Sequence, residues 1–240
     1  MVLLADSPDP SISIIIPVLN EASVLVGCIN QINLSSDDLT DIEIIICDGG
    51  STDGTADLAQ RLTGRFCSSL PGRSIQMNTG ANIARGSTLL FLHVDTKLPK
   101  DWKQSILSAG NWGFFRVKLN SGKWPFRMIE SFMNWRSSKT SVATGDQTLF
   151  FKSWFFSQVG EFPNISLMED VAISKLARQC CPPTVVSDKV TTSSRRWLQN
   201  GILKTIITMW SLRLAYWMGC NPDRLHKIYY GARQQKPERP

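Results

Sequence analysis

The chain has 240 residues, 42% of them hydrophobic and 19% charged, enough for one large α/β domain or two small ones with a sizeable core. Its 16 glycines and 12 prolines are dispersed, and the absence of repeats, heptad seams and low-complexity blocks excludes fibrous, solenoid and disordered classes. The net charge of +6 is unevenly placed: residues 1–188 hold 16 Lys/Arg against 18 Asp/Glu, whereas residues 189–240 hold 10 against 2.

The first strand is expected within SISIIIPVLN (residues 11–20), apolar on both faces and stopping at Pro17. A helix follows in EASVLVGCINQI, then a fully apolar strand in DIEIIIC (41–47), a helix in TADLAQRL and a short strand around Arg65 to Ser69. A helix from about Ser74 to Arg85 leads into STLLFLHVDT, read as a strand. This alternation argues for βαβ units and a parallel sheet. Beyond residue 110, WGFFRVKL and TLFFKSWFF read as strands, SLMEDVAISKLARQ as a helix and PTVVSDKV as a late strand. Residues 198–219 read as one helix with a broad apolar face and a narrow polar stripe through Gly201, Lys204, Thr205, Thr208 and Ser211. Its longest uncharged run, Thr205 to Leu212, is far short of the ~20 residues that span a bilayer.

Six cysteines occur without a C-x-x-C pair or framework spacing, which fits a reducing, cytoplasmic compartment. The segment MVLLADSPDP lacks the basic residues and apolar length of a signal peptide. The basic last fifth suits phosphates or the inner face of an anionic membrane, or is simply a solvated tail.

Ligands of open parallel sheets bind where the strands end at their carboxyl termini. Here those positions are polar and acidic: Pro17 to Glu21 after the first strand, Asp48 to Asp53 after the second, His93 to Thr96 after the fourth. Asp53 also suits a simple helix cap. No GxGxxG follows the first strand, no P-loop signature occurs, and the twelfth position counted from Asp48 is Ala59 rather than the Glu of a calcium loop.

PVLNEA, EIIICDGGSTDGTADLA, GANIARGSTLLFLHVDT and GEFPNISLMEDVAIS together resemble the family 2 glycosyltransferases over roughly residues 11–178. TGDQTLFF, LMEDV, SSRRW and MWSLRLAYWMG resemble more closely a bacterial subgroup labelled arsenosugar-biosynthesis-type glycosyltransferases, a label that carries no substrate information. The resemblance implies a GT-A fold, a Rossmann-like, doubly wound, mostly parallel sheet. It assigns residues 1–197 to that domain and residues 198–240 to a basic helical extension of the same structural unit.

The same resemblance implies metal-dependent transfer of a sugar, with inversion, from a nucleotide-diphosphate sugar to a hydroxyl. Mg²⁺ or Mn²⁺ would stabilise the charge on the departing diphosphate, needing only one or two carboxylates besides the phosphates. Asp95 is the expected metal ligand. His93 stands where relatives commonly have the first Asp of Asp-x-Asp, and contact with substrate or with Asp95 is favoured over direct ligation. A partly buried histidine satisfied by backbone is the alternative.

By resemblance, Pro17, Asn20 and Glu21 shape the nucleoside pocket, Asp48 contacts the base, and Ser51 with Asp53 borders ribose and phosphates. A carboxylate at Asp48 suits the N–H edge of uracil, so UDP-sugars are the first expectation. Arg73 is a phosphate partner or a surface cation. Asp170 is the expected base and Glu169 the acceptor contact or reserve base, although acids at a helix start also favour the dipole. Asp146 is expected on the acceptor side or as a turn residue. Arg196 and Trp197 resemble the end of a QxxRW motif, with Ser193 in place of Gln; Arg196 is read as holding the diphosphate and Trp197 as stacking on a sugar.

Two other classes fit: a non-catalytic nucleotide-sugar or polysaccharide-binding module, and a nucleotidyltransferase, whose basic, Gly-rich triphosphate loop is missing from PVLNEA. The acceptor is unassigned, with lipid-linked molecules one class. The 198–219 helix is a candidate for peripheral membrane contact, a dimer interface or simple core packing.

Overall fold

The computed structural model describes residues 9–36 and 38–234, the side chains of residues 196, 199, 200 and 231–234 excepted. In chain order the first half forms β1 (Ile12–Val18), α1 (Ala22–Leu34), β2 (Ile42–Asp48), α2 (Thr55–Leu62), β3 (Arg65–Ser68), α3 (Arg73–Ile83), β4 (Thr88–Phe91) and α4 (Trp102–Leu107). The second half forms β5 (Trp112–Leu119), α5 (Trp124–Thr140), β6 (Leu149–Lys152), α6 (Ser153–Gln158), α7 (Glu169–Cys180), β7 (Thr184–Thr192), α8 (Arg195–Asn200), α9 (Ile202–Trp217) and α10 (Pro222–Gln234).

The seven strands make one sheet in the order β3-β2-β1-β4-β6-β5-β7. All pairs are parallel except those of β6, which runs antiparallel to β4 and β5. Alternation along β1 explains the core: Ile12, Ile14, Ile16 and Val18 pack in one apolar layer with α1, whereas Ile15 joins Ile45, Met77 and Phe91 in the other. Both faces are covered, so the strands read as continuous apolar runs.

Pro17 lies within β1, paired with Cys47, rather than ending it. Ile15 O accepts from Leu92 N on the β4 side and Val18 O accepts from Gly49 N on the β2 side, so Pro17 turns its missing N–H toward β4. Strand β4 has ended by then, and no ladder bond is lost.

Three expected elements are corrected. The strand read through STLLFLHVDT stops at Phe91, because His93 to Thr96 close a turn in which Thr96 N donates to His93 O at 3.0 Å. The strand read in TLFFKSWFF is β6 followed by α6, whose Phe155 and Phe156 are buried; a short apolar run does not distinguish the two periods. The single helix read over 198–219 is broken at Gly201, whose φ of +83° suits glycine, giving α8 and α9.

Helix α5 was not legible in the sequence because its outer face is also apolar. It is nevertheless fixed by polar groups. Strand β6 pairs only with residues 112–114 of β5, leaving the next stretch of that edge open. Asn134 closes it by accepting from Val117 N at 2.8 Å and donating to Val117 O at 2.9 Å, and Glu130 accepts from Leu119 N at 2.8 Å.

At the other end of the sheet, buried Gln76 of α3 donates through Nε2 to Val18 O at 2.7 Å and Cys47 O at 3.0 Å, satisfying carbonyls where β1 and β2 end. Gly49 makes room for it, since a Cβ there would lie 3.0 Å from the Gln76 amide. Gln76→Leu removes both of these bonds, with Val18 O keeping the one from Gly49 N, and urea denaturation is expected to show a loss of about 1–3 kcal/mol. An unchanged unfolding midpoint would contradict this role.

Candidate functional site

The loops following β1 and β2 are stitched to each other. Asn20 adopts a left-handed φ of 55°, which Asn tolerates, and its N–H donates to Ser51 Oγ at 2.8 Å while its Oδ1 accepts from Thr52 N at 2.8 Å. Glu21 N donates to Thr55 Oγ1 at 2.9 Å and Ala22 N to Asp53 Oδ2 at 3.1 Å. Asp53 Oδ1 also accepts from Thr55 N at 3.0 Å and from its hydroxyl, so one carboxylate anchors the starts of both α1 and α2. The Thr55 hydroxyl bond, with the two backbone N–H groups, holds Asp53 below the ordinary aspartate range.

Asp48 is buried at the end of β2, where Oδ2 accepts from Gly50 N and Ser51 N at 2.9 Å each and Oδ1 accepts from the Ser51 hydroxyl. A carboxylate offers about four lone-pair positions. Three are engaged here, so one more N–H can be accepted. Glu21 sits half-buried beside this loop, and burial raises its pKa, opposed by the Arg195 charge and reinforced by those of Asp95 and Asp53. Arg195 belongs to the SSRRW block, whose motif assigns roles to Arg196 and Trp197 only; α8 brings it back to the strand ends.

Across the strand ends lies a second acidic centre. Met168, with φ of 70°, starts α7 so that Glu169 and Asp170 stand in its first turn. Asp170 Oδ2 accepts from Gly145 N at 2.7 Å and Oδ1 from Val171 N at 2.7 Å. Burial pushes the Asp170 carboxyl upward in spite of these two bonds and of the Arg73 and His93 charges. Glu169 is buried and is likewise raised, first by burial and then by the neighbouring Asp170, with Arg73 opposing.

Arg73 opens α3 and places Nη1 3.8 Å from Glu169 Oε1. Burial works against its charge only in part, since 42% of the side chain is exposed, and the carboxylates of Glu169, Asp146 and Asp170 hold it protonated. His93 Nδ1 lies 3.5 Å from Asp146 Oδ1, and its ring packs on Gly145, where a Cβ would come within 2.5 Å of it. Asp146, His93, Arg73, Glu169 and Asp170 are therefore one electrostatic cluster. Its floor is the turn Gly145–Gln147, held by a reciprocal pairing of Thr144 with Gln147.

Arg136 of α5 is a further member that the sequence did not mark. Burial lowers its pKa, the Asp170 charge opposes this, and Nη2 donates to Ser137 Oγ at 3.1 Å. Its Nε and Thr148 Oγ1 are buried side-chain polar atoms without a hydrogen-bond partner among the described residues.

Not every expected site residue joins these groups. Trp197 packs half-buried against Leu119, Phe126 and Ile129, so the structure gives its indole a role in a small core. The Arg196 side chain lies outside the described residues. Pro17 contributes through the strand end and not through a polar contact.

Among the described residues no three His, Cys, Asp or Glu side chains converge to hold a metal by themselves. Asp95 is exposed just beyond β4, while His93 faces Asp146 and Gly145. One accessible carboxylate is a donor set that fits Mg²⁺ or Mn²⁺ shared with substrate phosphates, not a closed protein site.

Residues 13–111 match the family described as Glycosyl transferase family 2. The glycosyltransferase AglE of Haloferax volcanii is 27% identical over 173 residues, 65% of this chain and 57% of that protein. A PGL/p-HBAD biosynthesis glycosyltransferase of Mycobacterium tuberculosis is 39% identical over 100 residues, 37% of each chain. The present chain thus spans only part of the length of both relatives. Among solved structures, the mannosyltransferase PcManGT of Pyrobaculum calidifontis with GDP-Man and Mn²⁺ superposes with a TM-score of 0.63 at 18% identity, covering 97% of this chain and 66% of that one. S. aureus TarS 1-349 in complex with UDP-GlcNAc gives 0.60 at 18% identity, covering 76% and 58%. Residues 13–111 are therefore similar to glycosyl transferase family 2, and the chain has the GT-A fold.

Proposed function

We propose that this chain is a glycosyltransferase that moves a sugar, with inversion and with help from Mg²⁺ or Mn²⁺, from a nucleotide-diphosphate sugar to a hydroxyl acceptor. The observation that carries the reading is the facing pair of centres: stitched donor loops around Asp48 on one side, and the pair of buried Glu169 and half-buried Asp170 on the other. The sequence match supports the donor half, because residues 13–111 include every strand end that builds it.

The donor half supports a nucleotide through Asp48, whose remaining acceptor position suits the N–H edge of uracil, with Ser51, Asp53 and Glu21 bordering ribose and phosphates. PcManGT holds GDP-Man and TarS UDP-GlcNAc, so neighbours of this fold take different bases. Asp95 would hold the metal, with His93 positioning Asp146 rather than binding the ion. Bound there, the metal would supply Lewis-acid stabilisation of the charge left on the diphosphate. Arg73 and Arg196 are cations for the same charge. Asp146 and Arg136 line the acceptor side, and a lipid-linked hydroxyl is one acceptor class.

In the transfer itself the acceptor oxygen bonds to the anomeric carbon as the bond from that carbon to the diphosphate oxygen breaks. The hydroxyl proton passes to the Asp170 carboxylate. A base works best when its pKa approaches the working pH, and burial moves Asp170 in that direction. Resemblance to the arsenosugar-biosynthesis-type subgroup narrows the relatives without naming the sugar.

The test of the function is nucleotide release from UDP-, GDP- and dTDP-sugars with Mn²⁺ or Mg²⁺. Transfer or slow hydrolysis of at least one donor is expected, and tight nucleotide binding with no turnover of any would favour a binding module.

Asp170→Asn should lower kcat by about 10²–10⁴-fold while leaving UDP affinity nearly intact. Because the folded carboxyl is raised, its protonated form stabilises the fold at low pH and that contribution is lost as pH rises through the folded pKa. The same variant should therefore melt no lower than wild type near neutral pH, and a large drop in melting temperature would mark a structural role. In wild type, the acid limb of kcat/KM should lie above the ordinary aspartate range, reporting the Glu169–Asp170 pair as a unit.

Manganese titrations followed by electron paramagnetic resonance should show little binding to the protein alone and clear binding once UDP is present. Tight binding without nucleotide would contradict a shared metal site.

A further inference from the structure

Helix α5 carries an outward stripe of Trp124, Met128, Phe132 and Trp135, and α9 carries one of Leu203, Ile207, Trp210, Leu214 and Trp217. All nine are exposed, and the four tryptophans are between 58% and 76% accessible. The inner faces are already committed, with Phe126 and Ile129 of α5 and Thr205 and Leu212 of α9 buried. The outer stripes are thus surplus to the core. Phe132 and Trp210 stack with centroids 5.3 Å apart and planes 28° from parallel, joining the two stripes into one surface.

At one end of that surface Trp135 borders a groove of about 350 Å³ lined also by Arg116, Lys139 and Lys189. Arg116 and Lys189 are register partners on β5 and β7, and like charges side by side repel. Among the described residues none of these three cations has an ion-pair partner. The neighbouring carboxylate of Asp188 is engaged by Ser105 Oγ at 3.1 Å. A groove with three unpaired cations is complementary to an anion.

Tryptophans on an apolar surface, edged by unpaired cations, match the boundary between water and an anionic bilayer, where rings sit at headgroup level and cations meet phosphates. No helix among the described residues is long and apolar enough to cross a membrane, so the contact is peripheral. A second copy docked by the same face would set cations against cations. We propose that the joined α5–α9 face docks on an anionic lipid bilayer, with lipid phosphates seated in the Arg116–Lys139–Lys189 groove.

The test is flotation of the full chain with vesicles, without sugar donor or acceptor, so a negative result leaves the glycosyltransferase reading intact. Vesicles of phosphatidylcholine with about one third phosphatidylglycerol should carry the protein upward, pure phosphatidylcholine should not, and raised salt should weaken the binding. Lys139→Glu with Lys189→Glu should cut binding at least about tenfold. Trp135→Ser with Trp217→Ser should do the same, and since all four positions are exposed the melting temperatures should stay near wild type. Absence of flotation with anionic vesicles, equal flotation with neutral ones, or a dimer in light scattering that removes vesicle binding would each overturn the proposal.

Discussion

Two loops leaving adjacent parallel strands must be held in one arrangement before a nucleotide can be recognised between them, and here the holding is done by backbone N–H groups. Asn20, Ser51, Thr52, Asp53 and Thr55 exchange the bonds that lock the β1–α1 loop to the β2–α2 loop. From below, Gln76 binds the last carbonyls of both strands. A mobile pair of loops would have to be ordered by the ligand, at a cost in affinity; this pair is ordered already. The polar residues that look like ligand contacts in such a motif are therefore divided in labour. Asp53 and Asn20 spend their side-chain oxygens on holding the loops, whereas Asp48 keeps one acceptor position for the proposed ligand.

The opposite wall obeys a different constraint, the cost of burying charge. Glu169 and Asp170 are adjacent acids at the start of one helix, both raised by burial, and they persist because Arg73, His93 and two backbone N–H groups offset part of that cost. Such an arrangement is expensive as structure and useful as chemistry, since a carboxylate so placed gains affinity for a proton. Arg136 follows the same logic from α5, with a buried Nε that has no hydrogen-bond partner among the described residues.

The parallel half of the sheet was legible because each strand is an apolar run ending in a polar loop, and β2, β3 and β5 lie close to where periodicity places them. The positions of Asp48 after β2, Asp95 after β4 and Asp170 at the start of α7 were legible from the motifs around them, and their roles remain proposals. What was hidden depends on contacts distant in sequence. Gln76 carries no local mark and Arg195 only its place in SSRRW, and their importance comes from which strand end or carboxylate the fold brings beside them. Helix α5 was hidden for another reason: its Trp124, Met128, Phe132 and Trp135 face outward, so no clean division into apolar and polar faces exists. Trp197 shows how motif and packing can point differently: the motif suggests sugar stacking, and the fold sets half of the indole against a small core.

A crystal structure with UDP, Mn²⁺ and an unreactive sugar donor addresses the two-wall arrangement most directly. It should show uracil on Asp48, the diphosphate and metal at Asp95, and the anomeric carbon on the side facing Asp170, with room for an acceptor oxygen at about 2.6–3.2 Å from that carboxylate. A nucleotide bound away from the stitched loops, or an anomeric carbon shielded from Asp170, would contradict the assignment of donor and base.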